Sequence, residues 1–220
     1  MFIRPANAHI ENSYIIDGDE ILRQIERYAR NCYKSEGTTG GLAATKQFVG
    51  KLLHTLKHEG IADHHVITVR VICDRGVSHE IVRHRIAAYL QESTRYCDYS
   101  KAGEIQVIDP AAHMDVEQFA VWLQAMKNAE ASYNRLRALG CRPEIARSVL
   151  PNSLKTEIIM TLNLTSWRNF FKKRACNAGA HPQMKEIAIP LLLEFQEKIP
   201  VIFDDLVPVG VPGGARNEPS

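Results

Sequence analysis

Residues 83–96 read Arg83-His84-Arg85-Ile86-Ala87-Ala88-Tyr89-Leu90-Gln91-Glu92-Ser93-Thr94-Arg95-Tyr96. Three arginines, a histidine, a serine and two tyrosines crowd into fourteen positions, and no helical or strand period collects the apolar members. Ile86, Ala87, Ala88 and Leu90 form only a short patch inside a polar run. The stretch has no lysine and a single glutamate, so it is not a solvated helix face with Lys and Glu at i,i+4 spacing. Arginine presents a planar fork of donors that grips phosphates and carboxylates in pairs of bonds. Two like charges about 4 Å apart repel by on the order of 4 kcal/mol at an effective dielectric near 20, and an anion relieves that cost. A phosphate-bearing ligand is one reading. A basic surface held by acids of the same chain is the other.

The chain around this stretch has 220 residues, enough for one sizeable core or two small ones, and 45% of them are hydrophobic. A net charge of +2 gives no basic stripe for wrapping nucleic acid, so no nucleic-acid partner is expected. No apolar run reaches the roughly 18 residues of a membrane span, and Met1-Phe2-Ile3-Arg4-Pro5 lacks a secretory h-region. Cys32, Cys73, Cys97, Cys141 and Cys176 are odd in number and widely spaced. That opposes a disulfide framework or a four-cysteine zinc site and favours a reducing cytoplasmic location.

Residues 13–16 read as a strand closed by Asp17-Gly18. Helices are expected over 20–33 and 42–57, the second carrying Phe48, Val49, Leu52, Leu53 and Leu56 on one stripe. Residues 66–73 alternate cleanly, with Ile67, Val69, Val71 and Cys73 on one face, and predict a half-buried strand. A short helix over 77–83 follows, placing the arginines at its C-terminal end, where cations suit the macrodipole. The rest of the motif reads as an extended loop leading to a strand at 104–108. The longest helix covers 115–139, with Val116, Phe119, Ala120, Leu123, Met126, Ala129, Tyr133 and Leu136 as its stripe and Gly140 at C′. Pro143 opens a short helix that ends before Pro151. Residues 154–162 alternate as a strand, with helix as a rival reading. Thr165 or Ser166 caps a helix carrying Trp167, Phe170, Phe171 and Arg174. Pro182 begins the last helix, kinked at Pro190, with Ile187, Leu191, Leu192, Phe195 and Ile199 inward. No linker or repeat is visible, so a single domain is expected over 1–207, with a disordered tail at 208–220.

His54, His58, His64 and His65 fall within twelve positions, and His54 and His58 are i,i+4. Zinc is one reading; a polar helix end with satisfied imidazoles is the other, and no His-Glu-x-x-His pattern is present. Asn163 and Asn169 can be read as caps, Arg174 as a helix end, and Trp167, Phe170 and Phe171 as core.

Arg83-His84-Arg85, seven residues and Ser93, ending in Arg95-Tyr96, resembles the Arg-His-Arg-x7-Ser signature of the flavin-dependent thymidylate synthases, the ThyX family. His58 and His64 match that family's His-Glu-x-x-x-Glu-His stretch, with Asp63 in place of Glu. Ala146-Arg147 before Leu150-Pro151 resembles its nucleotide-binding run. Asn163, Ser166, Asn169, Phe170 and Arg174 resemble its Asn-x-Arg-Ser-x-x-Asn-Phe-x-x-x-Arg, with Thr165 replacing an arginine that reaches a flavin phosphate. His181-Pro182-Gln183 is similar to a later His-Ala-Gln, so the likeness spans residues 20–200.

The resemblance implies an α/β (α+β) ThyX-like fold, a central, mainly antiparallel sheet flanked by helices with a helical portion. It implies reductive methylation of dUMP to dTMP, with methylenetetrahydrofolate as carbon donor, reduced FAD as hydride source and NADPH reducing FAD. It implies a homotetramer with active sites at subunit interfaces. By residue it implies that Arg174 activates the uracil, with no cysteine nucleophile. It implies that Glu80, Gln91, Ser93, Thr94, Arg95, Arg147 and Arg174 bind dUMP. It implies that His58, Asp63, Arg83, His84, Arg85, Asn163, Asn169 and His181 bind FAD, and that no metal is held. No Gly-x-Gly-x-x-Gly is present, so FAD is not expected in a Rossmann crevice. Two other classes stay open on the residues alone: a metal-dependent hydrolase using His54, His58, Asp63 and His64, and an RNA-binding module using the arginines.

Overall fold

Alternation of buried and exposed side chains builds the centre of the fold. A computed structural model of the chain describes every residue except 12, 36–39, 102–104 and 211–220. In chain order the elements are β1 (Phe2–Arg4), β2 (Asn7–Ile10), α1 (Gly18–Tyr33), α2 (Leu42–Gly50), β3 (Val66–Asp74), α3 (Arg75–Ile81), β4 (Ala88–Gln91), β5 (Gln106–Ile108), α4 (Val116–Ala138), α5 (Pro143–Ala146), β6 (Lys155–Asn163), α6 (Leu164–Arg174) and α7 (Pro182–Lys198). The larger sheet has the order β2-β3-β6-β4 and is antiparallel, so the expected mixed α/β class holds. β3 buries Ile67, Val69, Val71 and Cys73, and β6 buries Thr156, Ile158, Met160 and Leu162, as their alternation predicts. β1 pairs in parallel with β5, Ile3 opposite Val107.

Contacts divide the chain into two compact units, and the boundaries inside β3 and β6 mean that no linker separates them. The first comprises Met1–Asn7, Arg70–Arg85 and Tyr89–Ile159. Its small core joins Ile105, Val107, Met126 and Leu154, with Met1, Ile3, Tyr99, Trp122 and Leu150 packed against it. The second comprises Ala8–Val69, Ile86–Ala88 and Met160–Ser220. Its core is aromatic: Trp167, Phe170, Phe171, Phe195 and Phe203 are all fully buried, with ring centroids 5.1–5.7 Å apart. The Trp167 indole N–H donates to the Ile67 carbonyl at 3.1 Å, tying α6 to β3. The core reading of these aromatic residues is the one observed.

Several local expectations are corrected. Residues 13–16 form no strand: Ser13–Ile15 is a 3-10 turn with Tyr14 and Ile15 exposed. Asp17 beside it caps α1, accepting from the Glu20 N–H at 3.0 Å, and this cap draws the backbone toward helix. The second helix is not uniform. After α2 the chain widens into a π-helical turn, Lys51–Thr55, where the Leu56 N–H reaches the Lys51 carbonyl at 3.0 Å. The cap of α6 is Asn163, whose Oδ1 accepts from the Ser166 N–H at 2.8 Å, not Thr165 or Ser166. The loop expected after the arginines contains β4, which pairs with β6. The strand expected at 104–108 begins at Gln106, and Glu104 lies outside the described residues. Of the expected tail, 211–220 lies outside them too, while Pro208 is buried and the Val209 N–H donates to Ala175.

α4 departs most from its expected stripe. Met126 and Tyr133 are buried and Phe119, Leu123, Ala129 and Leu136 half-buried, whereas Ala120 is exposed and Val116 is 89% exposed. A helix of 23 residues runs roughly 35 Å, far longer than the three-residue strands β1 and β5 on which its middle rests. Its capping box, Asp115 with Gln118, and Gly140 at φ +81° set its ends as the sequence indicates.

Phe171 touches Trp167, Phe170, Phe195 and Phe203. Phe171→Ala is expected to lower unfolding free energy by about 3–5 kcal/mol through the cavity it leaves, measured by urea denaturation. A loss under about 1 kcal/mol would mean that the neighbouring rings close over the gap.

Candidate active site

In the first unit, the site grows from the end of β3. Asp74 caps α3, its Oδ1 accepting from the Val77 N–H at 2.6 Å. Arg75 anchors the helix start, its N–H donating to the carbonyls of Asn152 and Leu154. α3 ends in a turn in which the Arg83 N–H meets the Glu80 carbonyl and the His84 N–H the Ile81 carbonyl. Tyr89, from β4, closes this turn: its hydroxyl donates to the carbonyls of Ile81 at 2.9 Å and His84 at 2.6 Å. Burial pushes that phenol up to about 12, so it stays a donor. The outcome is a knuckle with His84 buried and Arg83 and Arg85 exposed on either side.

Gln91 lies on the face of β4 toward α3. Its Nε2 donates to Ser78 Oγ and Thr156 Oγ1, both at 3.1 Å. Ser78 gives its own proton to the Arg75 carbonyl, so it must accept from Gln91, and the amide orientation follows. The chain then turns tightly. The N–H groups of Tyr96 and Cys97 reach the Ser93 carbonyl, and the Arg95 N–H reaches Ser93 Oγ at 3.3 Å. Thr94 is buried, and its hydroxyl accepts from Arg147 at 2.9 Å. Arg147 comes from the 3-10 turn Arg147–Val149 after α5. The fold thus unites two motifs 53 positions apart that were assigned to one ligand.

The acids near this site serve other cations. Glu92 takes Lys155 at 2.7 Å, and Glu157 takes Arg70 and Lys155. Burial opposes the charge of Glu157, but Arg70 and Lys155 outweigh it and hold the carboxyl below its usual range. Arg83, Arg85, Arg95 and Arg147 meet no carboxylate among the described residues; Arg95 lies 5.4 Å from the Tyr96 ring centre. A basic surface neutralised by acids of its own chain is therefore not what the structure contains. Glu80, on α3, is half-buried.

In the second unit, the histidine segment rests on α6. Thr165 Oγ1 donates to the Glu59 carbonyl at 2.9 Å, and the Leu164 N–H to the His65 carbonyl at 3.0 Å. The Glu59 carboxylate takes Lys172 at 2.8 Å and lies 3.5 Å from Arg168. The Lys172 hydrogen bond holds it below the usual range. Arg168 is buried and grips Asp205 with two parallel bonds of 2.6 and 2.8 Å, and it also donates to the Ile202 carbonyl. His54 Nε2 lies 2.6 Å from the Val201 carbonyl, so it carries the proton there and that nitrogen is not available to a metal. Among the described residues no group of three or more His, Cys, Asp or Glu is placed to hold a metal ion, so the rival metal set is not assembled.

The flavin-assigned residues of this unit lie mostly at the surface. His58, Asp63, Asn169 and His181 are exposed, and Arg174 is half-buried at the end of α6. Asn163 is engaged as a cap through Oδ1, which leaves its amide hydrogens as donors. Thr165 is committed to the Glu59 carbonyl and does not stand in for the family arginine. The residues that sequence reasoning passed over are Tyr89, Arg75, Arg168 and the pair Glu92 and Lys155. Tyr89 sits inside the motif, but its partners are backbone carbonyls, and the Glu92–Lys155 pair is 63 positions apart with no local signal.

The family model described as thymidylate synthase complementing protein matches residues 15–201. A flavin-dependent thymidylate synthase of Pyrococcus furiosus is 34% identical over 155 residues, 69% of this chain and 61% of that protein's length. One of Geobacter sulfurreducens is 31% identical over 186 residues, covering 82% of this chain and 79% of that protein. Among solved structures, a UMP/dUMP methylase, PolB, from Streptomyces cacaoi bound with 5-Br dUMP superposes with a TM-score of 0.76 at 20% identity, over 92% of this chain and 95% of that one.

Asp205 and Glu59 both titrate lower in the folded chain than when unfolded; burial opposes the charge of Asp205, and Arg168 outweighs it. Their contribution is therefore present above the unfolded carboxylate value of roughly 4 and is lost as pH falls through the lower folded values. Urea stability is expected to be level near neutrality and to drop below about pH 4. Asp205→Asn should flatten part of that drop, and an unchanged acid slope in the variant would contradict the pairing.

Proposed function

The chain belongs to the thymidylate synthase complementing protein family, and from that premise we propose that it is a flavin-dependent thymidylate synthase converting dUMP to dTMP in one catalytic domain over residues 1–207. The observation that carries this reading is the hydrogen bond from Arg147 to Thr94, which joins the two segments assigned to the nucleotide phosphate, where Arg95 and Arg147 meet no carboxylate among the described residues. The names of the relatives and the 5-Br dUMP bound by PolB support the substrate.

In this reading Arg95 and Arg147 grip the phosphate of dUMP, and the Ser93 and Thr94 hydroxyls and nearby N–H groups fill the remaining acceptor positions. Gln91, its amide hydrogens engaged, offers Oε1 to a donor on the nucleotide, and Glu80 makes a further contact. Arg174 would stabilise the negative charge that develops on the pyrimidine as C5 takes the methylene carbon of methylenetetrahydrofolate, whose bonds to the folate nitrogens break while C5 gives up its proton. A cationic group at the last turn of α6 is favoured by the helix dipole. Bound FAD, reduced by NADPH, supplies the hydride that completes the methyl group. Arg83, His84 and Arg85 hold the flavin phosphates, while His58, Asp63, Asn163, Asn169 and His181 approach its ring. A cysteine nucleophile is disfavoured at two positions, because burial pushes the thiols of Cys73 and Cys176 up, away from thiolate.

The assembly we infer is a homotetramer with shared sites. Its support is the apolar surface a lone chain leaves to water, including Val116, Val121 and Leu139 on and after α4. A cytoplasmic location is supported by the five free cysteines, and no described helix is long and apolar enough to cross a membrane.

The purified protein is expected to show flavin absorption that dUMP perturbs, and to form dTMP from dUMP, methylenetetrahydrofolate and NADPH. Protein that retains no added FAD would overturn the reading. Arg174→Ala is expected to abolish dTMP formation while flavin stays bound, and turnover retained in that variant would refute the role of Arg174.

A further inference from the structure

Glu92 stands between β4 and the turn that carries Ser93, Thr94 and Arg95, and every polar group it owns is held. Its N–H donates to the Glu157 carbonyl at 2.9 Å, and its carbonyl accepts from Arg75 at 3.4 Å. Its Oε1 accepts from the Tyr99 hydroxyl at 2.8 Å and its Oε2 from the Lys155 ammonium at 2.7 Å. Tyr99 lies on the chain leaving the turn, so the Glu92 to Tyr99 bond clasps the loop across seven positions. Tyr99 is itself fixed, its N–H meeting the Tyr133 hydroxyl at 3.3 Å. Lys155 is also 3.4 Å from Glu157, which Arg70 pairs in turn. Burial, and then the charge of Glu92, push the Tyr99 phenol well up, so it remains a donor.

A lone carboxylate next to an anion site would oppose the anion. Here two acids and two bases balance, and the side chains of Glu92 and Lys155 are only 19% and 14% exposed. The cluster therefore holds shape without adding net charge. We propose that Glu92 is a positioning residue: its carboxylate, clasped by Tyr99 and Lys155, sets Ser93, Thr94 and Arg95 in the geometry that receives the phosphate of a nucleoside monophosphate. This rests on the dUMP reading of the same site.

A role in position and a role in charge predict opposite signs. Removing a negative charge beside a phosphate tightens binding if only charge matters. Releasing the turn weakens it. The test measures dUMP and deoxyuridine affinities of the flavin-loaded protein and of its Glu92→Ala, Lys155→Ala and Tyr99→Phe variants, with flavin content and melting temperature in parallel. Glu92→Ala is expected to weaken dUMP by about tenfold, the scale of one hydrogen bond to a charged group, to raise KM more than it lowers kcat, and to leave deoxyuridine affinity in place. Lys155→Ala should weaken dUMP too, although it alters charge the other way. Tyr99→Phe, which removes one hydroxyl, should shift dUMP in the same direction by a smaller factor, and it serves if the Glu92 variant does not fold. Unchanged or tighter dUMP binding in the variants overturns the positioning role alone. An unaltered protein that binds FAD but not dUMP overturns the nucleotide reading and this proposal with it.

Discussion

The pairing of β3 with β6 is the constraint on which the rest of the molecule depends. Both strands alternate through nine residues, and each buries every second side chain. The end of β3 and the start of β6 belong to the first unit, and the start of β3 and the end of β6 to the second. Three of the functional segments adjoin these ends. α3 and the arginine knuckle follow β3 directly, α6 follows β6 directly, and the histidine segment precedes β3. A register slip of one residue would turn Val69, Val71, Ile158 and Met160 out of the core. It would also carry α3 and α6 along, because the caps Asp74 and Asn163 join these helices directly to the strand ends. The caps are therefore the points at which strand register becomes helix position.

Electrostatics in the first unit follows from where acids are placed. Glu92 and Glu157 could have met the arginines of the motif, and instead Lys155 and Arg70 occupy them. Both cations lie on the central strands, one on β6 and one on β3. Among the described residues Arg95 and Arg147 meet no carboxylate, because the scaffold supplies Glu92 and Glu157 with their own counter-charges. Surface ion pairs contribute little to stability, so the value of this arrangement lies in what it leaves unpaired.

Strands β3 and β6, helices α1, α4 and α7 and the short α5 were legible because each rests on local pattern: period two, period 3.6, an N1 proline, a C′ glycine. The joint assignment of Arg147 and the 93–95 residues to one place was legible only through resemblance, since nothing local relates positions so far apart. What escaped reading was of two kinds. Tyr89 acts on backbone carbonyls, which every sequence possesses, so its identity carries no sign of its target. Asn163 was read as either cap or flavin contact, and its Oδ1 is the cap while its amide hydrogens remain. The exposed start of the α4 stripe, Val116 and Ala120, misled for a different reason: apolar periodicity records burial without saying whether the covering surface belongs to the same chain.

The second unit shows how a departure from the family pattern can be absorbed. Thr165 stands where an arginine is usual, and its hydroxyl binds the Glu59 carbonyl. Arg168, one turn on, faces the interior, where Asp205 and the Ile202 carbonyl hold it. Lys172, a further turn on, takes the Glu59 carboxylate. Three successive turns of α6 thus fasten the histidine segment and the chain after α7, and Trp167, Phe170 and Phe171 lock the opposite side into the core. A helix fixed on all these faces has little freedom to rotate. Arg174 closes it at the C-terminal end, where the dipole favours a cation. In the role proposed for Arg174, a support held this firmly would lower the reorganisation needed as charge develops on the pyrimidine, the condition under which electrostatic stabilisation is strongest.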